Sequence, residues 1–231
     1  MGSVPCSRAV PKDLNMPAFL PDFSVIAAFA LATVILAITP GPDMALQLSR
    51  AINYGRAHGV AAMLGAMAGI LVHTTLVALG ISVLIIAAPP LFLALKIVGA
   101  LYLLWLAYQA IVHGGGLRIA EAAKRPPTVR QSFMTGLGIN LLNPKVVLFF
   151  VTFLPQFVDA HDPAATSKLF FLGGEFVLLS IPLGLVTVLA ADWLAAAFKK
   201  SKWVERALNW SFAAIFTAFA VTILTAQARH A

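Results

Sequence analysis

Cysteine and charge are what this sequence has least of. Its one cysteine, Cys6, excludes an intramolecular disulfide, a CxxC redox pair and a multi-cysteine metal site. Charged residues make up 11% of the 231 residues, less than half the share of about 25% found in soluble domains. Hydrophobic residues make up 60%, and the mean hydropathy is +0.90. These values exclude a disordered chain, a coiled coil and an ordinary cytosolic enzyme. They describe a polytopic protein embedded in a lipid bilayer.

Chemistry-bearing motifs are equally scarce. There is no HExxH, no GxSxG and no P-loop, so no enzyme is expected. His58, His73, His113, His161 and His230 are scattered without paired spacing, so neither a metal site nor a cofactor is expected. Without a nucleotide-binding motif, any pumping must draw on an ion gradient or a partner ATPase. The chain carries 16 basic and 9 acidic residues, a net charge of +7. In a membrane protein that excess collects in cytoplasmic loops, so no nucleic-acid partner is expected.

Long apolar runs are what the sequence does have. A bilayer core is about 30 Å thick and needs roughly 20 apolar residues per helix. Residues 23–42 and 57–95 carry no charge, and Pro89-Pro90 divides the second run because consecutive prolines remove two donors. This predicts helices over 58–88 and 91–112. Residues 133–158 are apolar apart from Lys145, residues 169–198 contain Glu175 and Asp192, and residues 208–228 carry no charge. The expected fold is therefore all-α and integral to the membrane, with six transmembrane helices. Residues 1–22 carry four charges and four prolines, and lack the apolar core of a signal peptide. They are read as an extension before a retained span, with Met16 a second candidate start.

Loops one, three and five hold ten Lys/Arg, and the opposite side holds four. The positive-inside rule puts the basic loops in the cytoplasm and both termini on the periplasmic side. Loop three, residues 113–132, contains Gly114-Gly115-Gly116 and Pro126-Pro127, which are linker signals. It separates residues 23–112 from residues 133–231. Each part holds three helices, an odd number, so the second enters the membrane with opposite polarity. Two inverted three-helix repeats are a common transporter plan.

The first helix of each repeat is broken. One break is Thr39-Pro40-Gly41-Pro42-Asp43, the other Asn143-Pro144-Lys145. Asn before Pro is the order of an N-cap and the first helical residue; Thr39-Pro40 and Gly41-Pro42 can each be read the same way. A helix that restarts inside the membrane presents free N–H groups and a positive dipole end. Those groups suit a carboxylate in a wet cavity. Pro40, Gly41, Pro42, Asp43, Asn143, Pro144 and Lys145 are thus expected to bind a zwitterion. Lys145 and the helix ends take the carboxylate, and Asp43 takes the ammonium. The competing readings put residues 40–43 at the cytoplasmic end of the first helix, and Lys145 at an interface or in an ion pair with Asp43 or Glu175.

Other positions are weaker signals. Gln156 is a second polar contact near the outer end of its helix. Asp43 or Glu175 is a candidate proton carrier. Gly65 and Gly69, four apart, and Gly99 read as helix-packing positions. His73 reads as hydrogen-bonded to a neighbour. Phe149, Phe150, Phe153 and Phe157 face lipid or neighbouring helices.

These motifs together resemble the LysE family of amino-acid exporters, in particular its homoserine/threonine-exporter branch. The shared pattern is Thr39-Pro40-Gly41-Pro42-Asp43, Gly55-Arg56, Gly59, Gly65, Gly69, His73 and Gly80. It continues with residues 95–100, Tyr102-Leu103, Phe133, Gly136 and Asn140. Leu142-Asn143-Pro144-Lys145 and Phe153-Leu154-Pro155-Gln156-Phe157 complete it. The resemblance implies an inner-membrane secondary transporter that exports homoserine-, threonine- or lysine-type small amino acids or derivatives. It also implies proton antiport and a homodimer. The alternatives are a cation (metal-ion) exporter of the same superfamily, which needs converging carboxylates, cysteines or histidines, and a non-transporting membrane subunit.

Overall fold

The computed structural model describes residues 19–87, 125–159 and 162–193, with separate helical positions between 97 and 112 and between 196 and 221. For residues 81–87 it describes the backbone alone. The Pro89-Pro90 turn, Lys96, Gly99, residues 113–124, residues 1–18 and both chain ends lie outside the described residues. Among those described there is no strand. The described residues are helices and the turns that join them.

Helix α1 (Phe23–Ile38) and helix α2 (Pro42–Tyr54) meet at a bend of 52°. Alone, the 16 residues of α1 reach about 24 Å at 1.5 Å per residue, short of a bilayer core. The α1–α2 pair together is long and apolar enough to count as one broken span. Gly41 is the N-cap of α2 and Pro42 opens it, so the second of the two candidate caps is the one used. Gly55 ends α2 with φ at 92°, a left-handed backbone that a side chain would strain, and the chain turns directly into α3 (Arg56–Ala87).

Helix α4 (Val129–Leu142) starts four residues before Phe133, where the apolar run begins. The reason is a capping box: Thr128 Oγ1 accepts from Gln131 N at 3.1 Å, and Gln131 Oε1 accepts from Thr128 N at 2.7 Å. Helix α5 (Pro144–Leu148) follows after the second break, and the pair bends by 53°. It continues as a π-helical turn over Phe149–Phe153 and a 3-10 turn over Leu154–Phe157. Helix α6 (Ala165–Leu189) closes the well-described part. Stretches of α3 and α6 are each long and apolar enough to cross a membrane alone. Counting each broken pair as one span, the described residues hold up to four candidate spans by length and composition.

The core sits where α1, α3, the π turn and α6 converge. Phe29, Ile70, Phe149, Phe150, Leu172 and Phe176 are all buried there. Phe149 and Phe150 each lie within 6 Å, ring to ring, of Phe176, so these rings face neighbouring helices. Large apolar side chains also point outward: Leu64, Leu71, Leu76 and Leu79 on α3, and Leu178, Val186 and Leu189 on α6. Such an outer surface suits hydrocarbon. Small residues let α3 and α4 touch. A Cβ on Gly65 would fall 2.0 Å from the Phe133 carbonyl oxygen, and one on Gly136 would fall 2.1 Å from that of Ala62. The packing role expected of Gly65 is therefore backbone against backbone.

Candidate functional site

The two helix breaks face each other. Pro42 and Asp43 occupy the first two positions of α2; Pro144 and Lys145 occupy the first two of α5. The same place in each restarted helix thus carries opposite charges. Asp43 suits its position, because the helix N-terminus is the positive end of the dipole. Lys145 does not suit its own helix end. Its Nζ instead donates to Leu36 O at 3.2 Å and Thr39 O at 3.0 Å, at the carbonyl-rich end of α1. A lysine at the centre of a membrane helix costs about 2.5–3.5 kcal/mol. Two charge-assisted hydrogen bonds of about 1.5–3 kcal/mol each offset that.

Asn143 joins the breaks. It is 2% exposed and caps α5 by accepting from Lys145 N at 3.1 Å on Oδ1. Its Nδ2 donates to Asp43 Oδ2 at 2.9 Å. Asn140, one turn earlier on α4, donates to the same oxygen at 3.0 Å. One carboxylate oxygen of Asp43 is held by two amides, while Oδ1 is buried without a partner. Asn140 Oδ1 is also buried without a partner. It fits because α3 has glycine opposite: a Cβ on Gly69 would sit 2.4 Å from it. Gly69 therefore makes room for a side chain at the break, beyond the helix–helix spacing expected of it. His73 is 6% exposed, with Nε2–H donating to Asn140 O at 3.3 Å and its ring stacked on Phe150.

A cavity of about 60 Å³ opens at this meeting point. Asp43, Asn140 and Lys145 line it, with Thr39, Gln47 and Ser180. A water needs roughly 10–15 Å³ of such space, so the cavity holds a few waters or the polar head of a small solute. Gly41 stands over Lys145: a Cβ there would lie 3.1 Å from Nζ. Pro40, Pro42, Asn143 and Pro144 shape the breaks without lining the cavity. Gln156 is not brought to it; its Nε2 donates to Thr152 O at 2.7 Å within its own helix. Glu175 is also absent from the lining, and its Oε2 is buried without a partner. Asp192 is exposed.

Asn140, Gln47 and Ser180 were not singled out as site residues by the sequence reading. Asn140 carried a signal, an amide three residues before the capping Asn143 in an apolar run. Ser180 carried none, being one serine in a long apolar helix. Among the described residues no three of His, Cys, Asp and Glu come together as a metal site would need.

The family described as LysE type translocator matches residues 34–227. A homoserine/homoserine lactone efflux protein of Salmonella typhimurium is 30% identical over 204 residues, covering 88% of this chain and 97% of that protein. A leucine efflux protein of Klebsiella pneumoniae is 27% identical over 212 residues, covering 89% and 98%. An uncharacterised membrane protein of Vibrio cholerae is 28% identical over 211 residues, covering 90% and 100%. No solved structure matches the chain. With residues 34–227 matched by the family and relatives about 30% identical over most of the chain, the chain belongs to the LysE type translocators, membrane transporters rather than enzymes.

Proposed function

We propose that the chain is a secondary transporter that exports small amino acids or close derivatives across the inner membrane, with protons moving inward in exchange. The observation that carries this reading is Asp43, whose Oδ1 lies buried and unpartnered at the meeting of two helix breaks. A substrate ammonium is the group that a buried, single-sided carboxylate oxygen calls for. The substrate carboxylate goes to Lys145, which has a third N–H beyond its two carbonyl bonds, and to the positive end of α2. Pro40, Gly41, Pro42, Asn143 and Pro144 hold those groups in place, and Gln156 is an outer polar contact. Asp43 or Glu175 carries the coupling proton.

Alternating access then works between two inverted repeats, residues 23–112 and 133–231, joined by the cytoplasmic loop 113–132 and preceded by the extension 1–22. The equivalent places of Pro42-Asp43 and Pro144-Lys145, and bends of 52° and 53°, support that symmetry. The excess of basic residues in loops one, three and five supports periplasmic termini. The efflux of homoserine and of leucine, named for two relatives, supports the amino-acid class and leaves the lysine type without a relative among these. A homodimer is the expected state.

The test is efflux from cells preloaded with amino-acid-containing dipeptides, with the chain present or absent. Faster efflux of one class, lost in Lys145→Ala protein that still reaches the membrane, is the expected result. No difference for any amino acid overturns the reading and moves it to ions or to a subunit role.

A further inference from the structure

Helix α6 lays one face along the cavity. Phe176, Ser180, Gly184 and Thr187 are spaced by four, four and three residues and all line it. The Ser180 side chain is the anomaly on this face. A serine or threonine inside a membrane helix ordinarily bonds back to the carbonyl four residues earlier. Thr74, Thr75, Thr135, Thr152 and Thr187 all do so. Ser180 does not: its Oγ is buried, the residue is 4% exposed, and the oxygen has no partner. A buried hydroxyl without a hydrogen bond is unfavourable, a cost that a ligand group can recover.

The rest of the lining narrows what that group is. Asp43 and Lys145 are the only ionisable residues lining the cavity among those described, and both belong to the zwitterion head. The rest of the lining is mostly apolar, with Met67, Ile70, Val146 and Phe176, and its other polar side chains, Gln47 and Thr187 among them, are neutral. Gly184 keeps α6 close to α3: a Cβ there would fall 2.7 Å from Met63 Sδ. A small neutral side chain with one polar group fits such a wall, whereas a second cationic group finds no carboxylate there.

We propose that Ser180 is a specificity-determining residue, whose hydroxyl hydrogen-bonds a hydroxyl on the side chain of the transported amino acid. This rests on the reading of the cavity as an amino-acid site, and goes beyond it by assigning the side-chain contact.

The experiment uses the purified full chain in proteoliposomes and compares two isosteric probes, threonine and valine, which differ by hydroxyl against methyl. The wild-type chain prefers threonine. Ser180→Ala lowers the threonine-to-valine ratio by about 3- to 10-fold, the worth of one neutral hydrogen bond. Ser180→Thr restores the preference, and Ser180→Cys falls between. An unchanged ratio in Ser180→Ala, or a wild-type chain that does not distinguish the probes, overturns the assignment while leaving amino-acid transport standing. A wild-type chain that moves no amino acid overturns the underlying reading, and the assignment with it.

Discussion

Asn143 binds Asp43 across 100 residues of sequence, through Nδ2 and Oδ2 at 2.9 Å, while its Oδ1 caps the helix that carries Lys145. One amide side chain therefore holds the carboxylate of Asp43 and the backbone of Lys145. The two ends of the amide are not interchangeable, and substitutions can separate them.

Asn143→Asp keeps an acceptor for Lys145 N but replaces the donor to Asp43 with a second carboxylate. Two carboxylates at hydrogen-bonding distance cannot both stay ionised. Transport should fall to background with membrane insertion retained. Asn143→Ala removes both bonds, and the lost cap alone costs about 1 kcal/mol. Its thermal midpoint in detergent should drop below that of Asn143→Asp. Wild-type transport by Asn143→Asp would remove the link between the amide and Asp43 from the mechanism.

Asp43→Asn and Lys145→Ala should each abolish transport at normal membrane levels. Lys145→Met adds a stability effect, because the Leu36 and Thr39 carbonyls lose their donor. Each such bond to a charged group is worth about 1.5–3 kcal/mol, so the loss is readable as a lower unfolding midpoint. Full activity in either single-charge variant sinks the zwitterion site.

Gly41→Ala probes the site without removing a charge. Its Cβ would press on the far end of Lys145 at 3.1 Å, which a flexible side chain can yield to by leaving the α1 carbonyls. Stability should change little while transport drops severalfold. Equal transport in Gly41→Ala and wild type would show that the position of Nζ does not matter.

Gly136→Ala tests packing alone. Its Cβ meets the Ala62 backbone, which cannot swing aside, so the cost is at least the 1–3 kcal/mol of an overpacked core. Gly138→Ala, with nothing within 4 Å of the added carbon, is the matched control. Expression and detergent stability should fall for the first and hold for the second.

Asp162, in the loop before α6, sets a baseline for pH experiments. Its carboxyl sits below the usual carboxylate range because Lys168 donates to it, as does the Ala164 N–H. With the folded value depressed, its contribution is fully present above the ordinary aspartate value near 3.9. It is lost only as pH falls through the lower folded one. Between pH 5 and 8 it is constant. Transport profiles of wild type and Asp162→Asn should therefore run parallel in that window, and a difference in their slopes would assign the loop a part in coupling.

The helix breaks were legible because their signals are local. Asn143-Pro144 and Gly41-Pro42 spell a cap and a first turn within two residues. The start of α4 was displaced because hydropathy marks apolar residues, whereas helices begin at caps such as Thr128. Lys145 was recognised as a charge in need of a partner, but the partners are main-chain carbonyls, which every residue has and no sequence advertises. Asn140 meets Asp43 across 97 residues, a distance at which only folding brings donors and acceptors together. The π turn at Phe149–Phe153 has no sequence mark either.

The opposite charges at the heads of α2 and α5 also govern how the cavity responds to voltage. A unit charge crossing the membrane field exchanges about 2.3 kcal/mol per 100 mV. Asp43 and Lys145 sum to zero when both are ionised, and also when the proton has passed from the ammonium to the carboxylate. A zwitterion adds nothing to that sum. On the proposed exchange, with Glu175 as the proton carrier, the two charges would move no net charge when the empty carrier resets and none when it carries a zwitterion, so the membrane potential would act on the coupling proton alone; with Asp43 as the carrier, the inward step would move one charge through the cavity itself.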